Sequence, residues 1–118
     1  MIARAERLQQ QFFQPALPSQ SADWQPPMDI LETDRALWIV VALPGVDPAD
    51  LSISISDGVL SVIGIRRLPA AMNGAAVRRL EIPYGRFERR VHLPSGPLEA
   101  GRPELQNGCL FLRLAKRT

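Results

Sequence analysis

His92, Cys109, three alternating serines and a cluster of arginines are the residues of this chain with the most obvious chemistry. His92 stands between Val91 and Leu93 in an alternating stretch, which turns its imidazole outward. One histidine and one cysteine cannot build a zinc site by themselves. As a nucleophile pair, Cys109 and His92 would lack a helix terminus or other activating context in the sequence. Ser52, Ser54 and Ser56 alternate as on a polar sheet face, and no nucleophile elbow surrounds them. Gly58, Gly64 and Gly74 are too scattered to cradle a phosphate. Arg78, Arg79, Arg86, Arg89 and Arg90 surround Tyr84 and Phe87, a mixture that can hold a single-stranded nucleic acid. Glu81 and Glu88 interrupt it, and the net charge is only +2, so no nucleic-acid partner is expected. The residues point to a protein that is not an enzyme and that needs no cofactor and no metal.

The elements that would carry these residues are short strands. From Leu51 to Ile65, Leu51, Ile53 and Ile55 alternate with the serines and then meet Asp57-Gly58. Asp-Gly favours a two-residue hairpin turn, because both central residues tolerate positive φ. That loop fixes a register: Ser56 faces Val59, Ile55 faces Leu60, Ile53 faces Val62 and Leu51 faces Gly64. Leu51, Ile53, Ile55, Leu60 and Val62 then share the buried face. The other face mixes serines with Val59, Ile63 and Ile65, as on the outside of a sandwich sheet that something partly covers. Asn107-Gly108 is a second such turn, setting Gln106 opposite Cys109 and Leu105 opposite Leu110.

In chain order, Ile2, Ala5, Leu8 and Phe12 form one stripe at helical spacing, ended by Pro15 and Pro18. This N-terminal arm either frays or docks on something apolar. Residues 15–27 read as a Pro/Ser/Gln linker containing Trp24. Residues 29–33 (DILET) read as an edge strand after Pro26-Pro27. Residues 36–43 are apolar on both faces, as for an interior strand covered on each side. Residues 47–50 make a tight or single helical turn. Residues 66–78 form a loop with little to bury, followed by a brief strand at 77–82. In the strand 85–94, Arg89 falls in one row with Phe87, Val91 and Leu93, so its guanidinium must find a carboxylate or a carbonyl. Residues 94–103 read as a loop. With eleven prolines between the apolar runs and no confident long helix, the pattern is an all-β sandwich of about seven to eight short strands with a short N-terminal arm.

A length of 118 residues fits one domain. The single cysteine permits no internal disulfide and suits a reducing compartment. The first residues contain no apolar signal core and the longest apolar run is too short to span a bilayer, so a cytoplasmic protein without a membrane partner is expected.

Several pieces, taken in order, resemble the α-crystallin domain of small heat-shock proteins. They are Trp24-x-Pro26-x-x-Asp29-Ile30-x-Glu32; Leu43-Pro-Gly-Val46 with Asp50-Leu51; Leu60-x-Val62-x-Gly64-x-Arg66; Arg79-x-Glu81-x-x-Tyr84-Gly-x-Phe87-x-Arg89-x-x-x-Leu93-Pro94; and Asn107-Gly-Cys-Leu110. The resemblance covers residues 24–116, leaving 1–23 as the arm and 117–118 as a remainder. It implies an immunoglobulin-like β-sandwich and an ATP-independent holdase that keeps partly unfolded clients from aggregating. It also implies a homodimer made by strand exchange, with Val77, Arg79, Leu80, Glu81 and Ile82 pairing with Asp29, Ile30, Leu31 and Glu32 of the partner, and Arg89 bracing that region. Client-binding candidates are Ile2, Leu8, Phe12 and Phe13 on the arm, and Leu51, Ile53, Ile55 and Leu105 along a groove. Lys-Arg-Thr stands where the family carries an Ile-x-Ile or Ile-x-Val tail, which leads to the expectation of a dimer or small oligomer. The groove would then be open to a client or to the tail of a related small heat-shock protein. Pro103 stands where the family often has alanine, so the strand before the last turn should be short or bulged. The rival reading is a non-catalytic adaptor or co-chaperone of the p23 type.

Overall fold

The computed structural model describes residues 24–117. Among them are eight strands: β1 (Met28–Glu32), β2 (Ala36–Ala42), β3 (Leu51–Ser56), β4 (Val59–Arg66), β5 (Gly85–His92), β6 (Leu98–Ala100), β7 (Glu104–Gln106) and β8 (Cys109–Lys116). They form two antiparallel sheets. The larger runs β1–β2–β8–β6, with β7 also on β8, and the smaller runs β3–β4–β5. Their inner faces close over Leu37, Ile39, Val41, Leu43, Val46, Leu60, Val62, Phe87, Leu110, Leu112 and Leu114.

Both hairpins have the expected register. Leu51 pairs with Gly64, Ile53 with Val62, Ile55 with Leu60 and Ser56 with Val59, and across the second turn Gln106 pairs with Cys109 and Leu105 with Leu110. Asp57 and Gly58 have φ of 54° and 74°, and Asn107 and Gly108 have 53° and 77°. The turn residues therefore set the sheets in phase through positive φ. A Cβ on Gly58 would meet nothing within 4 Å. Gly58→Ala should thus cost only left-handed backbone strain, about 1 kcal/mol, read as a fall in Tm of roughly 4–8 °C.

Three expectations need correction. Residues 94–103 contain β6, which the flanking glycines and prolines conceal in the sequence. Between the β6 and β7 pairings, the chain advances from Ala100 to Glu104 while β8 moves only from Leu114 to Phe111. One residue is left over, a bulge, and it falls beside Pro103, which has no N–H to donate. Second, residues 77–82 are not a strand of this chain. They join neither sheet and are placed along none of the free edges of this chain. The preceding loop contains only a 3₁₀ turn, Ala70–Met72. Third, β2 is interior to its sheet, but among the described residues only one of its faces is closely covered: Leu37, Ile39 and Val41 are buried, whereas Trp38 is exposed and Val40 half-buried.

Residues 47–50 do make one helical turn. Pro48–Asp50 is 3₁₀, capped by the Asp47 carboxylate, which accepts from the Ala49 N–H at 2.9 Å. The outward face of the serine-bearing sheet also carries a charged group. Ile63 pairs with Glu88, whose carboxylate accepts from Arg86 and Arg90, both at 3.0 Å. The same register sets Ile65 opposite Arg86, so paired charges stand beside both isoleucines.

Candidate functional site

Two edges and a long loop make up the candidate site. β1 ends the larger sheet and has β2 on one side only. It carries Asp29, Ile30, Leu31 and Glu32, all exposed. Ile30 lies on the core side opposite Ile39, yet it stays 46% exposed and outside the core cluster. The loop between β4 and β5 places Val77, Leu80 and Ile82 in the open, with relative exposures of 59%, 57% and 52%. Arg79 and Glu81 pair with each other at 3.5 Å on its surface. Within one chain residues 77–82 join no ladder, and β1 is paired on its β2 side alone.

The base of that loop is anchored on both sides. At the β4 end, Arg67 donates from Nε and Nη2 to the two Asp50 carboxylate oxygens, each at 3.0 Å. At the β5 end, the Arg66 guanidinium stacks 4.8 Å over the Tyr84 ring. The hydrogen bonds from Arg67 hold the Asp50 carboxyl below its ordinary range, against a smaller upward push from burial, with the attraction of the guanidinium charge adding to the lowering. Because the folded-state pKa is the lower one, this stabilisation is present above the unfolded-state pKa and lost as pH falls through the folded one. Asp50→Asn should therefore lower Tm at neutral pH, and the gap to the parent should close on acidification below the carboxylate range. A pH series of thermal melts measures it. Asp50, Arg66 and Tyr84 stand in the motifs quoted above, but their pairing and the part of Arg67 do not, though the register held the signal. One pair beyond Leu51–Gly64 sets Asp50 beside Ile65, within a long side chain's reach of Arg67.

Arg89 is half-buried in the row of Phe87 and Val91, and its partner is a carbonyl: Nη1 donates to the Pro26 oxygen at 3.2 Å. The supposed linker is therefore structured from Trp24 on. Trp24 packs edge-to-face on Phe87, with ring centroids 4.9 Å apart, and bridges to it as a short parallel pairing. Pro26 is fully buried, and the Pro27 carbonyl accepts from the Ala42 N–H at 3.1 Å. This segment covers the β5 edge and delivers the chain into β1.

On the opposite flank, by strand order, lie β3 and β7, the free edges of the two sheets. Leu51, Ile53 and Leu105 pack against the core from these edges and stay half-buried, while Ile55 is exposed. The arm candidates Ile2, Leu8, Phe12 and Phe13 lie outside the described residues. Among the described residues His92 is exposed, no three His, Cys, Asp or Glu side chains gather as a metal site, and no helix is long and apolar enough to cross a membrane.

Comparison with known proteins agrees with this architecture. The sequence profile described as "Hsp20/alpha crystallin family" matches residues 29–118. The 19.0 kDa class II heat shock protein of Oryza sativa subsp. japonica is 38% identical over 100 residues, covering 77% of this chain and 57% of the relative. The 22.0 kDa heat shock protein of Arabidopsis thaliana is 31% identical, covering 86% and 50%. The chain thus spans about half the length of the curated relatives it matches. Among solved structures, a small heat-shock protein from Xylella fastidiosa superposes with a TM-score of 0.68 at 32% identity, covering 82% of this chain and 90% of that one. The hspA of Xanthomonas axonopodis gives 0.66 at 32%, covering 81% and 97%. Profile match, sequence identity and shared sandwich together place the chain in the Hsp20/alpha crystallin family of small heat-shock proteins.

Proposed function

We propose that this protein is an ATP-independent holdase that binds partly unfolded proteins in the cytoplasm and acts as a homodimer or small oligomer. The observation that carries the reading is the pair of unmatched elements: an edge strand with exposed Ile30 and Leu31, and a loop with exposed Val77, Leu80 and Ile82. An extended segment added to a free sheet edge gains main-chain hydrogen bonds and buries alternate side chains. In a two-fold pair, residues 77–82 of each chain, Arg79 and Glu81 included, would lie along residues 29–32 of the other. Arg89 would act from behind, by tying the Pro26 carbonyl and so holding the root of β1 in place. The seam of Leu51, Ile53, Ile55 and Leu105 offers apolar surface to a client or to the tail of a related small heat-shock protein, and the arm residues offer more.

The test is aggregation of a heat-labile enzyme followed by light scattering without ATP. Suppression at several-fold excess is expected, and none at that excess would overturn the reading. Solution mass separates the rival: a monomer that ignores unfolded clients would be a p23-type adaptor.

A further inference from the structure

The outward face of the larger sheet is largely apolar and, among the described residues, only partly covered, with the Arg113 guanidinium 5.8 Å over the Trp38 ring. The β2 and β8 register sets Trp38 beside Arg113, Val40 beside Phe111 and Ala42 beside Cys109, and β1 adds Leu31 next to Trp38. Leu31 and Trp38 are 57% and 38% exposed, and Val40, Ala42, Cys109 and Phe111 are half-buried. Asp29 and Glu104 flank the Val40–Phe111 row at its two ends. The outward face of the smaller sheet differs, since serines and the Arg86–Glu88–Arg90 group occupy it.

We propose that this face is the docking site of residues 2–13 of the same chain, with Ile2, Ala5, Leu8 and Phe12 against Trp38, Val40, Phe111 and Cys109. The dimensions match. From Trp38 to Ala42 the strand is about 13 Å long, and three strands about 4.8 Å apart make the patch roughly 10–14 Å wide. Twelve residues in helical form are about 18 Å long and 10–12 Å across, so one helix covers it. The connection reaches: residues 14–23, with Pro15 and Pro18, span up to about 30 Å. They join at Trp24, which lies against Phe87 of the smaller sheet, about 10 Å from the larger one. The charges agree as well, since Arg4 and Arg7 outnumber Glu6 on the segment, while Asp29 and Glu104 outnumber Arg113 on the face. Docking here does not depend on whether the arm also takes clients.

Cys109 is the only cysteine in the chain and lies within the patch, so it reports directly. In the 118-residue chain, Leu8→Glu with Phe12→Glu should raise the rate of Cys109 alkylation by iodoacetamide about tenfold or more, the effect of losing two buried apolar side chains. The protection in the parent should not change with protein concentration. Independently, Leu8→Cys under a mild oxidant should give an intrachain disulfide to Cys109, with the mass of a single chain by non-reducing mass spectrometry. Unchanged alkylation, protection that grows with concentration, or a cross-linked product of two-chain mass would each overturn the proposal, the last two by putting another copy on this face.

Discussion

Aspartates at Leu80 and Ile82 are expected to leave the protein monomeric while sparing its fold. Both side chains are exposed in the single chain, so their replacement removes no contact from either sheet. In a two-fold pair each change counts twice. Burying an apolar side chain of this size contributes about 1.5–3 kcal/mol, so four such losses come to roughly 6–12 kcal/mol. At about 1.4 kcal/mol per factor of ten, the dimer dissociation constant should rise by about 10⁴ or more. Light scattering behind size-exclusion chromatography reads the mass, and a thermal melt reads the fold. An unchanged mass would show that residues 77–82 hold no interface.

Phe87→Ala should act in the opposite sense, on the sandwich itself. The ring is fully buried, lies in the row facing Gly64 and supports Trp24 edge-on. Truncating a buried phenylalanine costs about 3–5 kcal/mol, the sum of lost transfer energy and the cavity left behind. That is a large share of a total stability of about 5–15 kcal/mol, and for a domain of this size it corresponds to a Tm lower by roughly 15–25 °C. Trp24 loses its neighbour and Arg89 its ordered carbonyl partner, so the β1 edge should loosen with it. Tryptophan fluorescence during chemical denaturation would show both, and a denaturation midpoint equal to the parent's would exclude Phe87 as the keystone of this end.

How much of this was readable beforehand depended on the range of the interaction. Both hairpin registers follow from Asp57-Gly58 and Asn107-Gly108, because a two-residue turn with positive φ leaves only one pairing. Pro103 announces the interruption between β6 and β7 through its missing N–H. β6 itself was hidden, since three residues between Gly96-Pro97 and Gly101 carry no periodicity of their own and are made a strand by β8. Residues 77–82 show the converse: local alternation looks like a strand, but no edge in the same chain receives it. The Arg89 row was evident from alternation and its need for a partner from the cost of a lone charge. Which oxygen answers it could not be read, because Pro26 is distant in sequence and reaches β5 only after both sheets close. Among the site candidates, the exposed side chains of β1 and of the long loop were legible as apolar residues in segments with nothing nearby to bury them.

The bulge between Ala100 and Glu104 bears on how far association can proceed. Strand addition propagates when a sheet offers two straight flanks, since each newcomer presents a fresh template to the next. Here one flank of the larger sheet is β1, unbroken, while the other is interrupted by an unmatched residue and a proline. That sheet accordingly has a valence of one. The mutual exchange across β1 proposed above would use that flank up in both participants and close the pair, so that the larger sheet would offer no second straight edge for further strand addition.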